Sequence, residues 1–370
     1  MRHLHAGRYL SALRQLRQLP ADEASMAYNA RMWAFNAVDP WGEECRFVGA
    51  RQAPAPDPAA LAEPLPQLVA AIQERRPVVL MEGHAFPETQ FFGAEMVAAL
   101  GASGATHLAF ETFRQAPIAH FIRDGVMRPS TEGYGFAPGR AAVLRAARRV
   151  GMYIVAFDGP TRALRAAARA MAERGDHEAL NRAREEWMAQ NIVRRIFRRD
   201  RSARVVVWTG EQHAMKRTPT WWKPWQHPFM AAHLARLLGE EPYCVGQQCV
   251  NLPVLTAGPR LLTGDLPRLA DCGLDAIVYH HRGGFPARPA WLDVRAGSVE
   301  AEPDGAALVQ ALPEHEGSTA VPVEQWLAPQ DGGMLLRLRP GRYLLRGVDG
   351  RDRVLWERAV SVRETSAGGY

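Results

Sequence analysis

Cysteine is scarce in this chain. The four residues Cys45, Cys244, Cys249 and Cys272 show no CxxC spacing, which argues against a disulfide scaffold or a structural zinc site and fits reduced thiols. Long apolar runs are missing too. No stretch approaches the ~20 apolar residues of a membrane span. The opening MRHLHAGRYLSALRQL lacks the apolar core of a secretory signal. The expectation is a cytoplasmic protein with no membrane partner. The chain has no HExxH helix, so a thermolysin-like zinc site is not indicated. Without a G-x-S-x-G elbow, an α/β-hydrolase triad is not supported either. The absence of CxxCH removes covalent haem attachment.

What is present is a globular balance: 370 residues, 47% hydrophobic and 23% charged. That length suits one large core and a smaller module. The net charge is +6, with arginine supplying the excess. The basic run Arg194 to Arg201 (RRIFRRDR) reads as a solvated helix end rather than a nucleic-acid surface.

Residues 1–50 read as a helical lead, with Tyr9, Leu10, Leu13, Leu16 and Leu19 at helical spacing. A proline-rich connection, QAPAPDPAALAEPLP, comes next. From about residue 76, short apolar runs alternate with helical stretches. The runs are Val78–Met81, His107–Phe110, Met152–Phe157, Val205–Trp208, Tyr243–Val245 and Ala276–Tyr279. They are nearly continuous, as strands buried on both faces are, and they predict a mostly parallel sheet flanked by helices. After about residue 290 the pattern becomes short runs punctuated by Pro-Gly and Asp-Gly turns, which predicts a small β-sandwich-like module. The fold expected is α/β, divided into segments 1–50, 51–290 and 291–370.

The informative pattern lies at the end of each strand. Val78–Met81 runs into Glu82, Gly83 and His84, with Glu88 a little beyond. His107–Phe110 is followed by Glu111, and Met152–Phe157 by Asp158. Val205–Thr209 leads to Gly210, Glu211 and His213, and Ala276–Tyr279 to His280 and His281. In a parallel sheet these ends share one edge, where ligands bind. Any one of them alone could be a helix cap or a turn residue. Together they predict a site with Glu82, His84, Glu111 and His213 at its chemical centre. Arg184, Glu88, Asp158, Glu211, Trp221, Trp222, His280 and His281 are expected to line it for substrate. Arg184 could bind a carboxylate or an oxyanion, or could pair with Glu111 or Asp158.

The ordered motifs VVLMEGHAFPE, HLAFETF, GMYIVAFDGPTRAL, REEWMAQNI and RVVVWTGEQHA resemble those of ChaN-like proteins, in the erythromycin esterase, ChaN, TraB and Tiki superfamily. The resemblance covers about residues 76–285. Glu82 and His84 match the first motif, with Met81 in place of its glycine. Glu111 matches the lone glutamate, Arg184, Glu185 and Met188 the helix motif, and Gly210 and His213 the last. It implies a fold and a pocket more firmly than a reaction. Members include lactone hydrolases, metal-dependent proteases and a haem-binding lipoprotein.

The chemistry expected is therefore hydrolysis of an ester, lactone or amide, in a small-molecule or peptide substrate. Glu82 and His84 would activate water. Peptide tailoring by elimination or cyclisation is the alternative in the same pocket. A divalent metal (zinc, manganese or iron) on His84, His213 and Glu111 is a further expectation, and a haem- or metal-binding carrier is the alternative outside enzymes.

Overall fold

The computed structural model describes residues 2–18, 57–84, 86–112, 115–131, 137–160, 162–219, 227–250, 255, 258–264, 267–281, 297–328 and 334–363. Trp221 and Trp222 lie outside the described residues, as do Cys45 and the boundaries expected near residues 50 and 290. Among the described residues, no helix is long and apolar enough to cross a membrane.

The middle of the chain builds a seven-stranded sheet. Its strands are β1 (Val78–Glu82), β2 (His107–Phe110), β3 (Tyr153–Ala156), β4 (Val205–Gly210), β5 (Tyr243–Val250), β6 (Arg260–Thr263) and β7 (Ala276–His281), in the order β3-β2-β4-β1-β5-β7-β6. Every pairing is parallel except β6 with β7.

Two apolar clusters cover the faces, and alternate residues of each strand feed them. Val78 and Leu80 of β1, with Val206 and Trp208 of β4, enter one cluster. Val79 and Met81, with Val205 and Val207, enter the other. Helices α2 (Pro64–Glu74), α3 (Pro87–Ala102), α4 (Gln115–Asp124) and α5 (Pro138–Arg149) close the first face; Ile72, Met96, Phe121 and Leu144 contribute to it. Helices α6 (Arg162–Glu173), α7 (His177–Ile192) and α8 (Met230–Leu238) close the second, through side chains such as Leu164, Trp187, Met188 and Leu234. Each large side chain buried this way contributes about 1.5–3 kcal/mol. Gly93 of α3 lies directly against the Trp208 ring and leaves no room for a Cβ, so that helix reaches the sheet only because a glycine faces it.

Past α7 the chain makes one π turn, Val193–Phe197. Trp187 Nε1 donates to Asp158 O (3.1 Å), Asn191 Nδ2 to Phe157 O (2.7 Å) and Gly159 O (2.9 Å), and Arg195 Nη1 to Ala156 O (2.5 Å). These bonds pin the end of β3 to the helix. Arg194 stays exposed and bonds Asn191 Oδ1 locally at 2.8 Å. One arginine of the basic run, Arg195, is thus a fastener to the sheet.

The described C-terminal part consists of β-strands and one 3-10 turn, Glu314–Glu316. Strands β9 (Leu308–Pro313), β10 (Glu324–Leu327), β12 (Gly341–Val348) and β13 (Val354–Val362) form an antiparallel sheet ordered β10-β9-β12-β13. Strands β8 (Gly297–Ala301) and β11 (Met334–Leu338) pair separately. Both sheets fill one apolar cluster, with Val309, Leu336, Leu338 and Leu345 at its centre.

This module is fastened to the core by Glu316, whose side chain is buried. Its carboxylate accepts from Arg145 Nε at 2.6 Å, Arg145 Nη2 at 2.8 Å and Met127 N at 2.9 Å. Helix α1 (Tyr9–Arg17) joins the same module. Asp352 accepts from Leu10 N and Ser11 N, both at 2.8 Å, and so caps that helix from the turn between β12 and β13. The segments at the two ends of the sequence meet in space.

Candidate active site

Strand register brings the acids together. Glu82 pairs with Gly210 across β1 and β4, and Phe110 with Trp208 and Ala156 across β2, β4 and β3. Glu111 N then bonds Trp208 O at 3.0 Å, and Asp158 N bonds Thr112 O at 3.2 Å. Glu82, Glu111, Asp158 and Gly210 therefore share one edge of the sheet. Helix α7 crosses it and delivers Arg184 and Glu185. The short 3-10 turn Glu211–Ala214 delivers His213.

Two histidine–glutamate dyads result. His84 Nδ1 lies 2.9 Å from Glu82 Oε1. His213 Nδ1 lies 2.8 Å from Glu185 Oε2. An ionised carboxylate only accepts, so Nδ1 carries the proton in each ring and Nε2 is the basic nitrogen. The environments differ sharply. The His84 side chain is 34% exposed, whereas that of His213 is 4% exposed. Arg184 Nη1 donates to His213 Nε2 at 3.2 Å. His213 is thus a buried acceptor that positions Arg184, and His84 is the imidazole that solvent can reach.

Arg184 organises the rest. Its Nε and Nη2 donate to Asp158 Oδ1 and Oδ2 at 2.7 and 2.9 Å, a bidentate fork, and Nη2 also donates to Glu111 Oε1 at 2.7 Å. Both partners anticipated for it, Glu111 and Asp158, are engaged together. Glu111 Oε2 accepts from Gly210 N at 2.6 Å and Thr209 Oγ1 at 3.0 Å. Burial alone would raise the Glu111 pKa. The neighbouring His213, Arg184 and His84 and the Gly210 N–H outweigh it and hold the carboxyl below its ordinary value. Expected at the chemical centre, Glu111 is instead an ionised anchor with both oxygens occupied, poorly suited to take a proton.

Glu82 is different. Its Oε1 receives Arg140 Nη1 as well as His84, while Oε2 has no hydrogen-bond partner among the described residues, although the side chain is fully buried. Arg140, on α5, also donates to Glu111 O at 3.0 Å. Burial pulls the Arg140 guanidinium down to about 9, opposed by Asp158, which leaves it charged at neutral pH. Sequence reasoning missed Arg140 altogether. Among 45 lysines and arginines, its one distinguishing mark is position on an otherwise apolar helix face. Glu185 emerges as the partner of His213, and it also accepts from Met230 N at 2.8 Å; it does not touch the neighbouring Arg184 through any described bond.

Of the other expected residues, Asp158 is buried at the centre, and the rest scatter. Glu88 sits in the first turn of α3, half-buried, and Glu211 opens the 3-10 turn. His280 does not reach the rim. It is fully buried, its ring edge-on to Phe92 at 5.6 Å, with Nε2 2.8 Å from Gln247 Oε1. Burial pushes its pKa down to about 3. Gln247 in turn donates to Met81 O at 2.5 Å and Thr89 O at 3.2 Å, tying β7 to the end of β1. His281 is half-buried at the end of β7.

Two of the three donors expected for a metal, His213 and Glu111, are already engaged. His213 Nε2 faces the Arg184 cation, and both Glu111 oxygens are occupied. Among the described residues, no group of three or more His, Cys, Asp or Glu side chains is arranged to hold a metal ion. The residues as placed do not fit a divalent metal between His84, His213 and Glu111.

The chain matches no protein-family model and no curated protein. Among solved structures it is similar to the type III effector HopBA1, at 16% identity over 60% of this chain and 95% of that one, with a TM-score of 0.38. It is also similar to RRSP, a MARTX toxin effector domain from Vibrio vulnificus, at 16% identity over 70% of this chain and 48% of that one, with a TM-score of 0.34. A chain described as bacterial protein toxins matches at 16% identity over 61% of this chain and 42% of its own length, with a TM-score of 0.34. These likenesses are too distant to bear on the chemistry of the site.

Proposed function

We propose that this protein is a hydrolase of an ester, lactone or amide, and that the His84–Glu82 dyad activates the attacking water. The observation that carries the reading is Glu82. Arg140 and His84 hold Oε1, and the buried Oε2 is left as an acceptor beside the one solvent-reachable imidazole of the cluster. His84 Nε2 takes a proton from water, and the carboxylate behind Nδ1 stabilises the imidazolium that forms. Arg184, 22% exposed at its side chain, is the cation placed to meet the oxyanion of the tetrahedral intermediate. Glu111, Asp158 and His213 hold that guanidinium in place. The ordered ChaN-like motifs support the same reading, because the residues they nominate, Glu82, His84, Glu111, Arg184, Glu185 and His213, fall in this one cluster.

The test is a panel of aryl esters, lactones and peptide amides, assayed in ¹⁸O-labelled water with His84→Ala as the matched blank. A hydrolase incorporates one label into the released acid. Turnover without label would indicate elimination or cyclisation, and turnover that persists in the variant would place the chemistry elsewhere.

A further inference from the structure

A cavity of about 500 Å³ lies between the sheet-flanking helices and the C-terminal module, away from the histidine dyads. Helices α3 and α5 form one wall, and residues 313, 315, 316, 323, 324 and 338–343 of the C-terminal module supply the other. Its volume is far larger than a packing defect and falls within the range of small-ligand pockets. Phe91, Phe121, Val323, Leu338 and Tyr343 give it apolar walls.

Its charge is mixed, with arginine in excess. Five arginines and three glutamates line it, the third glutamate being the buried Glu324 of β10. Arg145 is neutralised by Glu316, Arg339 by Glu95, and Arg342 by Glu314 at 2.7 Å. Arg148 and Arg149, exposed on the last turn of α5, have no carboxylate partner among the described residues. Arg148 lies over the Phe121 ring at 5.8 Å and donates through Nε to Ile122 O at 3.4 Å, which holds its guanidinium at the edge of the apolar wall. Counting Glu324, the cavity still keeps an excess of positive charge, and its two exposed forked cations, outside any described ion pair, are complementary to a molecule with an apolar body and one anionic end.

We propose that this cavity binds a medium-chain acyl or aryl anion, its carboxylate or phosphate on Arg148 and Arg149 and its apolar body between Phe91, Phe121 and Tyr343. The site is independent of the proposed reaction. Its connection to the dyads is helix α5, which presents Arg140 to Glu82 at one end and Arg148 to the cavity about 12 Å further on, at 1.5 Å per residue. A free acid and a phosphate ester offer the same recognition chemistry, and the assay separates them.

The experiment uses the full chain and anilinonaphthalene sulfonate as a fluorescent aromatic anion, displaced by decanoate, decyl phosphate or the neutral decanol. The expected result is saturable binding of the probe at one site per chain. Displacement by either decanoate or decyl phosphate should be at least tenfold stronger than by decanol, and the stronger of the two identifies the head group. Arg148→Glu with Arg149→Glu should weaken the probe at least tenfold, with an unchanged circular dichroism spectrum. Ala142→Phe, which fills the cavity from α5 without altering charge, should block the probe as well. His84→Ala should leave binding intact. Equal displacement by decanol, or undiminished binding in both the charge-reversed and the filled variants, would overturn the assignment.

Discussion

Glu111→Gln separates an anchoring role from a catalytic one. The carboxylate receives donors on both oxygens: Arg184 on Oε1, and Gly210 N with Thr209 Oγ1 on Oε2. A glutamine has one oxygen and one NH₂ group. Whichever way the amide is turned, its NH₂ faces donors, and one buried group loses its partner. An unsatisfied buried polar group costs about 1–3 kcal/mol, and removing one member of a buried ion pair about 3–5 kcal/mol. Arg184 keeps its fork to Asp158, so the expectation is about 2–4 kcal/mol. For a domain of this size, at about 2–4 °C per kcal/mol, the melting temperature should fall by roughly 10 °C. The pH dependence comes from the lowered pKa of Glu111 in the fold. A carboxyl depressed below its unfolded value contributes fully above that value, near 4.5, and loses its contribution as pH falls through the folded pKa. The gap between wild type and variant should therefore be widest near pH 7 and shrink on acidification. Thermal unfolding followed by circular dichroism at pH 7 and near pH 4 measures both effects. His84→Ala, which removes one partly exposed bond, should cost only about 1 kcal/mol. A Glu111→Gln protein that melts with the wild type at pH 7 would refute the anchoring role.

Gly210, His280 and Glu316 give three further tests. Gly210 has backbone angles open to alanine (φ −68°, ψ 170°), but a Cβ there would lie 2.9 Å from His84 Nε2; Gly210→Ala should fold normally yet lose roughly 10²-fold in turnover through displacement of the imidazole. His280 is neutral in the fold, its pKa pushed by burial from 6.5 down to about 3, so its contribution to stability is complete above 6.5 and falls by about 1.4 kcal/mol per pH unit on acidification towards that folded value. His280→Asn should flatten denaturation midpoints between about pH 6 and 4, and an unchanged slope would contradict the burial argument. Glu316→Ala leaves Arg145 and the Met127 N–H without their buried acceptor, should cost about 3–5 kcal/mol, and should release the C-terminal module to limited proteolysis; wild-type resistance would show that the remaining contacts hold it unaided.

The parallel sheet was legible in the sequence because its strands are buried on both faces and read as continuous apolar runs. His107–Phe110 is bounded as expected, and β4 and β7 are two residues longer than their runs. Strand β6 was not legible: Arg260–Thr263 is a four-residue antiparallel edge strand, too short to stand out from the loops around it. The start of helix α2 was hidden in the proline-rich connection, since Pro64 occupies its first turn, where the missing N–H costs nothing. The π turn after α7 leaves no mark of its own on the apolar pattern. At the site, strand ends announced Glu82, Glu111 and Asp158, because register alone aligns them, and His213, which the turn after β4 carries in. The division of labour was not legible. Whether a carboxylate is a base or an anchor depends on how many donors reach it, and Arg140, which fixes Glu82, comes from a helix with no motif of its own.

The central claim is that His84, backed by Glu82, is the base of a hydrolytic site, and kcat/KM of His84→Ala on the substrate found by the labelled-water panel tests it most directly. The account predicts a fall of about 10²–10⁴-fold with the melting temperature nearly unchanged, matched by Glu82→Gln and not deepened when the two are combined, since both act through one proton transfer. Wild-type kcat/KM in a folded His84→Ala protein would contradict it.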